Sequence, residues 1–237
     1  MPGSLRSLKD ASGNTRKHYL LELTIVVACT ALVLFVMSSA EAIDAGVAPK
    51  LFLLARMALL VLLCTWFLRR NGERWADLGL RRPRRWWMVP LLTVGGFLLL
   101  IMVSMFMMRL FLPAIGAELP QVRPTPTMRA DLGEYLFWAI AVSWGSAAFG
   151  EELLARGFIL NRIAQVIGSS RTPAIAAAVV LQAAIFGSFH IHQGIGGALM
   201  TGAAGLVIGL IWLLGGRNLW PCFLLHGIVD FLAANGL

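Results

Sequence analysis

Apolar residues in this chain come in long runs divided by short polar segments, with neither the alternation of a strand nor the one-sided stripe of a soluble helix. Seven runs stand out: Leu20–Ala40, Leu51–Leu68, Trp86–Met108, Leu132–Leu154, Thr172–His190, Gly197–Leu214 and Leu219–Ala234. Each approaches the roughly 20 residues that an α-helix needs to cross a bilayer. The pattern therefore predicts an all-α, polytopic transmembrane bundle of seven spans. The fourth run continues as helix toward Arg162, or gives way to an eighth, interfacial helix over Gly157–Gly168. Residues 1–19 form a basic cytoplasmic tail, and 20–237 a single membrane domain. The stretch from Pro113 to Arg129 carries four prolines and is expected as an irregular outer loop.

Composition agrees with the pattern. Hydrophobic residues make up 58% of the chain and charged residues 14%, against about 25% charged in a soluble domain. A formal charge of +8 raises nucleic acid as a partner, but the placement of the charges argues against it. With the N-terminus cytoplasmic, inner segments hold Arg6, Lys9, Arg16, Lys17, Arg69, Arg70, Arg74, Arg81, Arg82, Arg84, Arg85, Arg156, Arg162, Arg171 and Arg217. Outer segments hold Lys50, Arg109, Arg123 and Arg129. This is the positive-inside bias of a multi-pass protein, expected in the plasma (inner) membrane. Trp86, Trp87 and Trp220 suit an interfacial belt. Cys29, Cys64 and Cys222 lie inside apolar runs and read as packing residues. The first apolar run is too long for a signal-peptide core, and no P-loop, dinucleotide fingerprint or repeat is present.

Ionisable residues inside spans are where function is sought in a membrane protein. Here they are Glu22, Arg56, Glu151, Glu152, Arg156, His190, His226 and Asp230. Glu22 and Arg56 read as structural: Glu22 snorkels from a helix end, and Arg56 does likewise or pairs internally. His18 and His192 read as solvent-facing. Glu151, Glu152 and Asp230, left unpaired, would cost on the order of 10 kcal/mol, so they must meet cations, imidazoles or water. Glu152 and Arg156 form an i,i+4 pair in the favourable orientation. Glu151 points about 100° away around an α-helix and stays available. Phe186 with His190, and His226 with Asp230, repeat the four-residue spacing. Three helices thus present a carboxylate, an imidazole and an imidazole–carboxylate pair toward one interior point, the parts that amide hydrolysis requires.

These segments also resemble a known family. Glu151-Glu152-Leu-Leu-Ala-Arg156, Phe186-Gly-Ser-Phe-His190 and His226-Gly-Ile-Val-Asp230 are similar to the EExxxR, FxxxH and HxxxN/D motifs of the CAAX-protease and bacteriocin-processing (Abi) family, in the same order. The resemblance covers 132–237, the protease-like core. It implies an intramembrane endopeptidase acting on a membrane-associated, prenylated or small peptide. Glu151 would activate water, His190 would position or polarise it, and His226 with Asp230 would stabilise the oxyanion. Glu152, Arg156 and Phe186 would support the site. Asp230 stands where Asn is frequent; ionised, it orients His226, and protonated, it donates. A metal-free mechanism is the favoured expectation. The alternative is zinc held by Glu151, His190 and His226, a three-ligand set with an open position.

Two other readings remain beside this one: a proton- or cation-coupled transporter and an inactive membrane scaffold. Rhomboid-like serine chemistry lacks its nucleophile turn, since Ser146 sits in Gly-Ser-Ala-Ala and Ser188 is merely near His190. Depth gives one conflict. His226 lies about 13 Å from Arg217 along its helix and Glu151 about 16 Å from Arg162, but His190 lies about 28 Å from Arg171. The fourth helix must project beyond the bilayer, or the fifth must tilt.

Overall fold

The computed structural model describes residues 13–38, 47–120, 131–168 and 172–235. Among the described residues, seven helices occupy the seven expected positions. They are α1 (Gly13–Ser38), α2 (Val47–Arg70), α3 (Met88–Ala114), α4 (residues 132–167), α5 (Thr172–Ser188), α6 (Gly194–Leu214) and α7 (Trp220–Ala234). No strand occurs among the described residues. Arg16–Leu34, Leu51–Arg70, Met88–Ala114 and Ile191–Leu214 are each long and apolar enough to cross a membrane, while Pro173–Ser188 and Trp220–Ala233 are shorter apolar helices. The chain is an integral membrane protein of the all-α class. Its outer face shows why such helices need lipid: Leu59, Leu62, Leu98 and Met102 are all well exposed, a continuous apolar surface that water would not tolerate.

α3 runs beyond its expected end. Pro113 is helical, and an irregular segment begins only at the turn after Ala114; residues 121–130 of the expected loop lie outside the described residues. Two of the three cysteines, Cys64 and Cys222, are buried, and all three are unpaired, as packing residues should be.

α4 departs from the α-helix that its sequence predicts. After the Asp131 cap, whose carboxylate accepts from the Glu134 amide, the helix widens to π geometry over Phe137–Glu151 and Leu153–Ile159, interrupted by Glu152 alone. Such wide turns are rare and concentrate at functional sites. The helix then narrows over Leu160–Ile167 and stops at Gly168, whose φ of 74° ends it in the left-handed region. There is no break at Gly157, so the eighth helix does not exist as a separate element. At 132–167, α4 is far longer than the roughly 20 residues of a crossing. It therefore projects past the bilayer, one of the two ways to ease the depth conflict at His190. Arg171 itself lies outside the described residues.

The projecting end of α4 is locked by a buried cation. Arg162 is fully buried and spends all three guanidinium nitrogens: Nε on Glu22 at 2.8 Å, Nη2 on Glu73 at 2.7 Å and Nη1 on Gln165 at 2.6 Å. Its plane lies 4.9 Å from the Tyr19 ring and 4.7 Å from the Phe158 ring. Glu22 also receives Asn71 at 2.8 Å and faces His18 Nε2 at 2.9 Å. The knot corrects three expectations. Glu22 does not snorkel, being 1% exposed. His18 is partly withdrawn from solvent against it. Arg162 and Arg156 are fully buried and so are not loop charges in the positive-inside count. The physical reason is tertiary: α1, the turn after α2 and α4 meet there, and a buried carboxylate finds its cation across the fold.

Close packing sets the remaining helices. α5 and α6 touch through glycines: a Cβ on Gly187 would lie 2.5 Å from the Ala198 carbonyl oxygen, and one on Gly205 would lie 3.3 Å from Ala183. Small residues at a membrane helix interface permit such approach. The start of α7 is strapped to the α2–α3 connection. Asn218 donates to the Arg81 carbonyl at 2.8 Å and accepts from the Trp220 amide at 3.0 Å. The Leu219 amide bonds the Gly79 carbonyl at 3.1 Å.

Candidate active site

Two adjacent carboxylates on α4 have opposite surroundings. Glu152 is fully buried. Its Oε1 accepts from Arg156 Nη1 at 2.7 Å and from His226 Nδ1 at 2.8 Å. Arg156, also fully buried, gives Nη2 to the Gly205 carbonyl at 3.0 Å and stacks 4.8 Å from the Phe186 ring. One residue therefore ties α4 to α7, and its cation ties α4 to α5 and α6. The expected i,i+4 ion pair is present, with one correction. Glu152 is shared, and it holds His226 more closely than Asp230 does, since Asp230 Oδ2 stands 3.5 Å from His226 Nε2. A carboxylate accepts and does not donate, so the Nδ1 proton of His226 points at Glu152, leaving Nε2 on the Asp230 side.

Glu151 forms no hydrogen bond or ion pair with any described residue. It lines a cavity of about 220 Å³ together with Arg56, Gln182, Phe186, His190 and His192. His190 is positioned by its own helix turn: Nδ1 donates to the Phe186 carbonyl at 3.0 Å, and the two rings stand 5.0 Å apart. That bond assigns the proton to Nδ1 and leaves the Nε2 lone pair free. Glu151 interacts electrostatically with His190, His226, Asp230 and Glu152, so the five groups share one field. His226 and Asp230 nevertheless do not line the cavity. The structure brings Glu151, His190 and Phe186 to the cavity wall and sets Glu152, Arg156 and His226 behind it. The α-helical spacing had suggested a single point, but the widened α4 and the Glu152–His226 bond divide the cluster into two layers.

Two cavity residues carried weaker sequence signals. Gln182 precedes Phe186 on α5, and His190 in the turn that follows, at four-residue spacing, a polar extension of the same face. It is 1% exposed, and its Oε1 has no partner. Arg56 was visible as a charge inside a span, but its position opposite Glu151 depends on how α2 packs. His192, exposed as expected, sits at the cavity rim. Ser188 gives its hydroxyl to the Ile185 carbonyl at 2.6 Å, which engages it away from nucleophilic use.

Among the described residues no group of three or more His, Cys, Asp and Glu side chains stands where it could hold a metal ion. As placed, Glu151, His190 and His226 do not make the three-donor site.

Two substitutions test the layering. Arg156→Ala strands Glu152 with one partner in a dry site; removing a partner from a buried pair costs about 3 kcal/mol or more. The expected result is a lower folded yield and melting temperature in detergent, and wild-type values would show that the ion pair is dispensable. Gly227 lies under Trp144, where an added Cβ would fall 2.4 Å from the indole ring. Gly227→Ala should push α7 and its neighbour His226 off Glu152, lowering activity at least tenfold, by analogy with the 10²-fold cost of a 1 Å misplacement. Undiminished activity would show that the site does not depend on this contact.

Of the comparisons with known proteins, one finds a match, and it covers the segment that carries these motifs. The model of the family described as type II CAAX prenyl endopeptidase Rce1-like matches residues 133–232, from the start of α4 into α7. No curated protein and no solved structure matches.

Proposed function

Because residues 133–232 are a domain of the type II CAAX prenyl endopeptidase family, a CAAX-type intramembrane protease, we propose that Glu151 is its general base and water its nucleophile. The observation that carries this is the contrast between neighbours. Glu152 is fixed through Oε1 by Arg156 and His226, whereas Glu151 keeps an untethered carboxylate in a cavity. A group that moves a proton must be free to reach the water and the substrate.

A peptide bond enters the cavity with its carbonyl carbon beside a water held between Glu151 and the free Nε2 of His190. Glu151 takes one water proton as the oxygen bonds to the carbonyl carbon. The carbonyl electron pair moves onto its oxygen. As that oxyanion collapses, the carbon–nitrogen bond breaks, and Glu151 returns the proton to the leaving amine. One water is consumed, giving one carboxylate and one amine. His226, tied to Glu152 and facing Asp230 behind the cavity wall, contributes to the field around the oxyanion without contacting it. Asp230 acts by orienting His226, since an ionised carboxylate has no proton to donate. No step requires a metal.

The substrate is a membrane-tethered peptide, with a prenylated C-terminal segment as the first candidate. The N-terminus is placed in the cytoplasm, on the positive-inside distribution of the loops. A fluorogenic prenylated peptide tests the reading against purified protein in detergent, with and without a chelator. Cleavage that the chelator leaves untouched, and that His190→Ala reduces at least tenfold, is expected. Cleavage abolished by the chelator would transfer the chemistry to a metal site. No cleavage at all would favour the transporter or scaffold reading.

A further inference from the structure

The cavity holds one charged group that the hydrolytic chemistry does not use. Arg56 sits on α2, outside the residues that the family model covers. It is half-buried among Leu60, Met57 and the α1 side chains Val33 and Leu34. No described residue gives its guanidinium a hydrogen bond or an ion pair. It interacts electrostatically with Glu151 across the cavity, without ion-pair contact between them. The two fully buried arginines among the described residues behave differently: Arg156 and Arg162 are each bonded to carboxylates at 2.7 or 2.8 Å. Arg56 thus points its charge at the space where substrate would lie.

A second unspent polar group faces that space. Gln182 is almost fully buried, lines the cavity and has a side-chain oxygen with no partner. Buried amides are nearly always bonded, so this one is available to a ligand. Cation and amide, on α2 and α5, flank Glu151 on α4. An acceptor for an incoming N–H and a fork of donors for an anion stand beside a base.

We propose that Arg56 binds the free α-carboxylate of the substrate's C-terminus, with Gln182 accepting from a backbone N–H of the same terminal segment. This rests on the peptidase reading and adds to it the residues that hold the substrate's chain end. Guanidinium and carboxylate match in a bidentate geometry, and a carboxylate enters an apolar cavity at acceptable cost only when it is so paired. A side-chain carboxylate could reach the same cation, and changing the chain end alone distinguishes the two. Arg56 would then be a binding residue that sets position, with no part in bond breaking.

The test compares two peptides that differ only at the C-terminus, one a free carboxylate and the other a carboxamide, each with the same fluorescent label and prenyl group. Binding is read by fluorescence anisotropy on the Glu151→Gln protein, which separates recognition from cleavage. The carboxylate peptide is expected to bind about tenfold tighter or better, the scale of one hydrogen-bonded charge. In a background also carrying Arg56→Gln, the ratio should fall toward one; Arg56→Lys should keep part of it. On otherwise unmutated protein, the kcat/KM ratio for the two peptides should follow the binding ratio, through KM. Equal binding of the two peptides overturns the proposal while leaving hydrolysis by Glu151 intact. A preference that survives Arg56→Gln overturns the assignment to Arg56. If Arg56 is merely a counter-ion to Glu151, its substitution lowers kcat for both peptides alike and leaves their ratio unchanged, which also overturns it.

Discussion

Glu151→Gln removes peptide cleavage while the protein folds and inserts as before. The side chain has no bonded partner among the described residues, so the amide breaks nothing in the fold, and stability should stay within about 0.5 kcal/mol of wild type. What it loses is the basic carboxylate. General base catalysis by a positioned side chain contributes about 10²–10⁴-fold, and a loss in that range or beyond is expected. Glu152→Gln makes the informative contrast. That carboxylate anchors both Arg156 and His226, so its amide should lower the melting temperature along with activity. Two neighbouring, chemically identical substitutions with different thermal signatures would separate the catalytic carboxylate from the structural one. Equal activity in Glu151→Gln and wild type would remove Glu151 from the mechanism.

The largest loss of stability is expected from Arg162→Leu. Its guanidinium satisfies Glu22 and Glu73 from a fully buried position. Removing it leaves Glu22, itself 1% exposed, with Asn71 and His18 alone. Breaking a buried pair by deleting one partner costs about 3–5 kcal/mol, enough to consume much of a typical domain's stability of about 5–15 kcal/mol. Thermal unfolding in detergent, followed by far-UV circular dichroism, reads the effect. The diagnosis is sharpened by repair: adding Glu22→Gln and Glu73→Gln to Arg162→Leu should recover most of the loss, because the stranded charges are then gone. Failure of the repair would mean that packing around the guanidinium, against Tyr19 and Phe158, matters more than its charge.

Much of this was legible in the sequence for a physical reason. A bilayer forces spanning segments to be both apolar and helical, so the seven runs correspond to seven helices among the described residues, with larger shifts at the ends where α1 begins at Gly13, inside the expected tail, where α3 continues through Pro113, and where α4 runs on to Ile167. The i,i+4 spacing of Glu152 and Arg156 found a real ion pair, because both residues lie on one helix and local geometry decides their meeting. Phe186 and His190 were found on the same basis.

What failed was whatever depends on how helices meet. Nothing local in the sequence marks the π widening of α4, which sets the angle between Glu151 and Glu152. Glu22 and Arg162 are far apart in the chain, and their bond exists only because α1 packs on the projecting end of α4. His226 looked paired with Asp230 by spacing, yet its nearer carboxylate is Glu152 on another helix. Arg56 and Gln182 likewise gain meaning only from the cavity that α2 and α5 close around Glu151.

The most direct measurement is mass spectrometry of a prenylated peptide incubated with purified protein, wild type beside Glu151→Gln at matched folded concentration. The account predicts two fragments summing to the substrate plus one water, formed by the wild type and absent or reduced at least a hundredfold with the variant. Fragments formed equally by both proteins would contradict it, because hydrolysis would then proceed without the carboxylate on which the proposed mechanism depends.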